Sequence, residues 1–255
     1  MSADTAFEVG RLYGPINTIA NLFSVAKKDV FIGLPALEAY FPMSLTGSAG
    51  ECRNHGDGLG LLMTGTVTAG YDGNSYRQTG NGVNYLRLGS TAFDLTGTET
   101  FVNPAIRGFT IGGWFYLDSF VTAQSAFISK HGPSPEFGYN LGLLTNDKLY
   151  FQMSGNGTSN NTIASTADTV LGEWMFLVGR FTPSVEIALF VNGLKFTNTT
   201  SIPAQCNASL QDFEIGRYFN DDARVIDARH RDVFLSRAIL SDELIQEVRQ
   251  ATLPT

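Results

Sequence analysis

Two carboxylates on one face of a strand could cleave a glycosidic bond, and Asp212-Phe213-Glu214 comes nearest to that arrangement. The reaction needs carboxyl groups about 5 to 9 Å apart across the bond, one of them kept protonated. Alternation places residues i and i+2 on the same side of a strand, so Asp212 and Glu214 would share a face. Ile215-Gly216-Arg217 follows without a third acid, and the pair reads as polar residues on the outer face of a strand. His55, His131 and His230 have no metal-ligand spacing with cysteine or with one another. Ser129 near His131 suggests a nucleophile and a base, but no strand-to-helix elbow and no ordered third partner accompany them. No enzymatic activity is expected.

Oxygen-rich loops point to binding instead. Calcium takes six to eight oxygen ligands, often loop carboxylates and carbonyls. Asn220-Asp221-Asp222 is the leading cluster, with Asp221 and Asp222 as its expected ligands, and Asp227 and Asp232 follow. Asp72-Gly73-Asn74 is a second cluster that ordinary turn chemistry also explains. A saccharide site needs an exposed ring flanked by amides and carboxylates. Tyr218, Phe219 and Asn220 fit that description, as do Tyr139 and Asn140 opposite them. In a chain with 12% aromatic residues most rings must be core, and Trp114 and Trp174 sit in strand patterns that read as core.

The elements that must position these residues are strands. Val185 to Val191 and Leu194 to Thr197 alternate around Asn192-Gly193, a pair suited to a turn with positive φ, and so predict a hairpin. Ile187, Leu189 and Val191 share one parity, as in a half-buried strand. Phe109 to Leu117 reads as a long strand, with Phe109, Ile111, Phe115 and Leu117 on one side and Trp114 and Tyr116 on the other. Further strands are expected at 38–43, 61–63, 83–88, 127–130, 139–144 and 149–153, separated by loops rich in Gly, Asn, Ser and Pro. Short strands without βαβ alternation predict an all-β, two-sheet antiparallel sandwich. One helix is expected at the end, Asp242 to Gln250, capped by Ser241, with Leu244, Ile245 and Val248 on its docking face.

Residues 1–38 read differently from the rest. Phe7, Leu12, Tyr13, Leu22, Phe23 and Phe31 give this N-terminal arm too much apolar surface for a free linker and too little for its own core. The arm is expected to pack on the main domain, residues 39–255, or to dock on a partner.

The bulk numbers exclude several classes. With 43% apolar and 16% charged residues the chain can build a large core. A net charge of −7 argues against a nucleic-acid surface. No apolar run approaches transmembrane length, so no membrane insertion is expected. The first residues lack the basic and apolar regions of a secretory signal, which suggests synthesis in the cytoplasm without a signal peptide. Cys52 and Cys206 imply no disulfide framework, and the Asn-x-Ser/Thr triplets at Asn156, Asn160, Asn198 and Asn207 read as accidental.

Several of these segments together resemble a known family. Phe109-Thr110-Ile111-Gly112-Gly113-Trp114, Ile128-Ser129-Lys130, Gly172-Glu173-Trp174, Leu189 to Gly193 and Phe213-Glu214-Ile215-Gly216 follow the order of concanavalin A-like domains of the laminin G and pentraxin type. Asp232 to Ile245 resembles the family's closing strand and helix, and Gly80 to Leu88 an upstream strand with Thr79 in place of a Phe. The resemblance covers roughly residues 39 to 252 and implies a jelly-roll sandwich of two curved sheets, with ligands at loops or on the concave face. Members often bind calcium through varied residues, so no ligand set carries over. Glucanases on this fold carry an E-x-D-x-x-E strand that this sequence lacks.

An unexported domain of this type with an N-terminal arm resembles virion-associated proteins of tailed bacteriophages. That implies a non-enzymatic structural protein of the virion surface, a capsid decoration or fibre component, with glycan adhesion. Its expected partners are copies of itself, with a trimer as the expected number, a capsid or tail protein, and cell-surface glycans. A calcium-assisted lectin module is the alternative.

Overall fold

The computed structural model describes residues 30, 33–41, 51–53, 62–65, 68–69, 76–77, 86–88, 108–120, 122–166, 168–218, 221 and 224–254. Its strands are β1 (Leu37–Phe41), β2 (Glu51–Arg53), β3 (Leu62–Gly65), β4 (Thr68–Ala69), β5 (Tyr76–Arg77), β6 (Leu86–Leu88), β7 (Phe109–Leu117) and β8 (Ser125–Lys130). They continue as β9 (Tyr139–Leu143), β10 (Leu149–Met153), β11 (Asn161–Ala164), β12 (Trp174–Thr182), β13 (Glu186–Val191), β14 (Leu194–Asn198), β15 (Phe213–Ile215) and β16 (Ala228–Ser236). One helix, α1 (Asp242–Ala251), follows. The first sheet runs β14-β13-β12-β7-β16-β5-β4, with β1 also paired to β16; the second runs β11-β10-β9-β8-β15-β6-β3-β2. The described pairings are antiparallel, and the two eight-stranded sheets make the expected all-β, jelly-roll-like sandwich.

Alternation decides which side chains meet between the sheets. Phe109, Ile111, Phe115 and Leu117 of β7 face Phe127, Tyr139, Leu141 and Phe151 of the second sheet in one buried cluster. Gly179 of β12 is required there: a Cβ at that position would lie 2.4 Å from the Phe151 ring, so only a bare backbone admits the ring. The hairpin turn has the geometry its residues favour, with φ of 49° at Asn192 and 93° at Gly193.

The first sheet is buried on both faces along much of its length, which changes one expectation. β13 was expected to be half-buried, yet Ala188 and Phe190, on the parity opposite to Ile187, Leu189 and Val191, join Trp114, Phe176, Val178 and Phe234 in a second cluster. Ile245 and Val248 of α1 complete it, so the helix converts the outer face of this sheet into core. Ser241 caps the helix by accepting from Leu244 N, and Trp114 Nε1 donates to Thr252 Oγ1 at 2.9 Å at its far end. Leu34 and Leu37 are buried in the same cluster, and Ser236 Oγ donates to Pro35 O. Phe7, Leu12, Tyr13, Leu22, Phe23 and Phe31, the expected docking residues, lie outside the described residues. No helix among the described residues is long and apolar enough to cross a membrane.

Candidate functional site

The outer face of the second sheet carries polar residues aligned across its strands. Thr162 pairs with Gln152, Gln152 with Asn140, Asn140 with Ser129, Ser129 with Glu214, and Glu214 with Arg87. Register therefore sets six polar side chains in one row over β11, β10, β9, β8, β15 and β6. Thr162 and Arg87 at the ends are exposed, whereas the middle is buried, with Asn140 at 0% and Glu214 at 2% exposure. Their neighbours along each strand, Leu141, Phe151, Ile128 and Ile215, point into the core, which fixes the row on the opposite face.

The middle of the row is short of partners. Asn140 Nδ2 and Oδ1 and Ser129 Oγ are buried without a hydrogen bond. An unmet buried polar group costs about 1 to 3 kcal/mol, so a side chain with both donor and acceptor unused is a cost that the fold carries without return from within. On one side Glu214 accepts from Arg217 Nε at 3.1 Å and pairs with its Nη2, which leaves this buried pair electrically balanced. On the other side Gln152 Nε2 lies 3.0 Å from His131 Nε2, which is also 3.3 Å from Asn160 Oδ1.

His131 is held in a stack of rings. Phe137 lies 4.8 Å from it at 17°, and Tyr218 lies 5.3 Å from it at 29°. Burial lowers its pKa to about 4 against the raising effect of the bonds to Asn160 and Gly132, so the imidazole is neutral at neutral pH. Burial likewise raises the phenols of Tyr150 and Tyr218 above their ordinary value, keeping them as neutral hydroxyls. The arrangement offers amides, hydroxyls and a ring wall with no net charge, suited to binding hydroxyl groups.

The expected site residues divide. Asn140 lies at the centre of the row, and Tyr218 stands beside it as a buried, stacked ring rather than an open platform. Tyr139 is a correction: it is 1% exposed, in the inter-sheet cluster, with its ring 5.0 Å from Phe109. Its parity with Leu141 and Leu143 required this. Phe219, Asn220 and Asp222 lie outside the described residues. Asp221 Oδ2 sits 3.2 Å from Arg224 Nε in a part-exposed ion pair. Among the described residues no group of three acidic, histidine or cysteine side chains could hold a metal ion.

Ser129 and His131 form no nucleophile–base pair, since His131 Nε2 is directed at Gln152 and Asn160. Asp212, on a flanking position, lies 3.9 Å from Arg87. Ser129, Gln152, Glu214 and His131 were not anticipated as binding residues. Their only signal was polar identity at outward parity in strands whose other positions are apolar.

A two-sheet antiparallel sandwich closed by a helix is a jelly-roll-like architecture. The chain belongs to the concanavalin A-like lectin/glucanases superfamily: a laminin G-type family model of that description matches residues 81–246, more than half of its length. Comparison with curated protein sequences gives no match. Among solved structures it is similar to the binding domain of Paraclostridial Mosquitocidal Protein 1, with a TM-score of 0.64 and 11% identity over 88% of this chain and 53% of that one. It is also similar to the binding domain of botulinum neurotoxin DC in complex with SialylT, at a TM-score of 0.61 and 15% identity over 85% of this chain and 52% of that one. Trypanosoma rangeli sialidase in complex with sialic acid aligns at a TM-score of 0.60 and 13% identity, over 90% of this chain and 38% of that one. At such identities the likeness shows the fold. The chain spans about half the length of the toxin structures and less of the sialidase.

Proposed function

We propose that the protein is a non-catalytic, carbohydrate-binding module that seats a glycan on the polar row of the second sheet. The carrying observation is the buried Asn140 amide, which bonds nothing although Ser129 and Gln152 flank it in register. A vicinal pair of sugar hydroxyls, one donating and one accepting, would satisfy that amide. The toxin and sialidase structures named above, solved with SialylT and sialic acid, support a saccharide as the ligand class. Against a hydrolase reading, the buried Glu214 carboxylate is held by Arg217.

In this reading the module decorates a virion surface as a homo-oligomer, with the residues before Val30 anchoring it to a capsid or tail protein. The apolar residues of that arm support an anchoring role. The test is a glycan-array screen of wild-type and Asn140→Ala protein, followed by calorimetry and a reducing-sugar assay on each hit. Binding lost in the variant, with no sugar released by either protein, is the expected result. Retained binding or released sugar would overturn the proposal.

A further inference from the structure

A second group of chemistry-bearing residues lies on the first sheet, beyond the end of α1. Trp174, Tyr116 and Arg229 are in register on β12, β7 and β16. All three share the outer face with Trp114, where the helix ends in the Trp114–Thr252 bond, and they are half-buried rather than covered. The next rank holds Asp118 and Asp227, joined by Asp118 N donating to Asp227 O at 3.0 Å. Gly172 N donates to Leu117 O, which brings Gly172 alongside. A Cβ on Gly172 would meet nothing closer than the Tyr116 hydroxyl at 3.6 Å, so space lies open there.

The pieces are held rigidly. The Trp174 and Tyr116 rings stand 5.6 Å apart at 65°, and the Arg229 guanidinium lies 4.3 Å from the Tyr116 ring. Asp118 fixes that guanidinium through two bonds, Nη2–Oδ1 at 2.6 Å and Nε–Oδ2 at 3.1 Å. Ser119 Oγ donates to Asp227 Oδ2 at 2.9 Å, while Asp227 Oδ1 is buried with no hydrogen-bond partner. Phe120, 41% exposed, and Leu171, 39% exposed, edge the ledge.

We infer that this ledge is a saccharide-binding site separate from the polar row, taking uncharged hexose or N-acetylhexosamine units. The part of the Trp174 indole left open offers the flat apolar surface on which the C–H face of a pyranose packs. The unused carboxylate oxygen of Asp227 accepts a hydroxyl, a charge-assisted bond stronger than one between neutral groups. Asp118 neutralises Arg229, which leaves the Asp227 carboxylate as a negative charge beside the ledge and disfavours carboxylated or sulfated sugars. This inference stands apart from the glycan reading of the second sheet, because it uses none of the same residues.

The chain has two tryptophans, and Trp114 is buried, so the Trp114→Phe protein reports on Trp174 alone by fluorescence. Cellohexaose and chitohexaose are titrated to millimolar concentration, with 3′-sialyllactose as the acidic control. The expected result is a saturable response to at least one neutral oligosaccharide, unchanged by Asn140→Ala and weakened roughly tenfold or more by Asp227→Ala. If Trp114→Phe fails to fold, calorimetry comparing Asn140→Ala with Asn140→Ala/Trp174→Ala protein isolates the ledge instead. Absence of a saturable response, or a response that survives Asp227→Ala or vanishes with Asn140→Ala, would overturn the inference. Self-association abolished by Trp174→Ala would overturn it too, because the ledge would then be an interface between copies.

Discussion

A primary amide can make four hydrogen bonds, and the side chain of Asn140 makes none although it is fully buried. Truncation therefore removes an unmet polar group and no hydrogen bond. Asn140→Ala is expected to leave unfolding free energy unchanged or raised by about 1 kcal/mol in urea titrations while abolishing glycan retention. A loss of more than about 1 kcal/mol would mean that the amide is bonded within the fold. His131 behaves oppositely, because its environment stabilises one protonation state. Its folded pKa is about 4 against an ordinary 6.5, so the unfolded chain takes up a proton first as pH falls. The stabilisation is complete above pH 6.5, declines between 6.5 and 4, and is absent below that window. That decline amounts to at most roughly 3 kcal/mol, and His131→Phe, which keeps a ring in the stack, should flatten it relative to wild type. Equal slopes in the two proteins, measured by urea midpoints across that range, would exclude His131 as the source.

At the scale of elements, α1 supplies one wall of the second apolar cluster. Ile245 and Val248 are each 1% exposed, and a buried Ile truncated to Ala typically costs about 2 to 5 kcal/mol. Ile245→Ala should lower stability by that amount, and Ser241→Ala by about 1 kcal/mol through loss of the cap on Leu244 N. Near-ultraviolet circular dichroism tests both, since Trp114 is tied to Thr252 at the helix end. If α1 frayed independently, far-ultraviolet helix signal would melt before the Trp114 signal. This helix also shows what the sequence could carry. Ser241, the acidic first turn and the spacing of Leu244, Ile245 and Val248 made it legible, as alternation made β7 and the Asn192-Gly193 hairpin legible. What α1 covers was not legible, because burial of Ala188 and Phe190 depends on where a distant element docks. The polar row failed for the same reason. Parity alone turns Asn140 outward and Tyr139 inward, but the alignment of Asn140 with Ser129 and Gln152 is set by cross-strand register. Trp174, read as core from its strand pattern, does pack against the second cluster, but its outward parity near the sheet end leaves it only partly buried.

For the whole molecule, the two proposed sites face away from each other, one on the outer surface of each sheet. One chain can then present only one of them to a flat glycan-bearing surface, so strong adhesion must come from several copies. Metal is not expected to organise that assembly: Asp221 is neutralised by Arg224, and chelation with EDTA should leave both melting temperature and light-scattering mass unchanged. A fall in either would mean that the protein binds a divalent cation. The apolar residues before Val30 are the proposed source of valence, and the structure indicates where to cut. Leu34 is buried, and Pro35 O and Ala36 O accept from Ser236 and Arg237, so removal beyond residue 29 would damage the sandwich itself. Deleting residues 1–29 should therefore preserve the melting temperature and the affinity for a soluble oligosaccharide. It should weaken retention on a densely glycosylated surface by roughly a hundredfold, the scale of avidity lost when linked sites become single ones. Surface plasmon resonance at low and high glycan density measures both quantities on the same protein. Equal retention at the two densities before and after deletion would mean that valence does not arise from the arm, and that each chain binds alone.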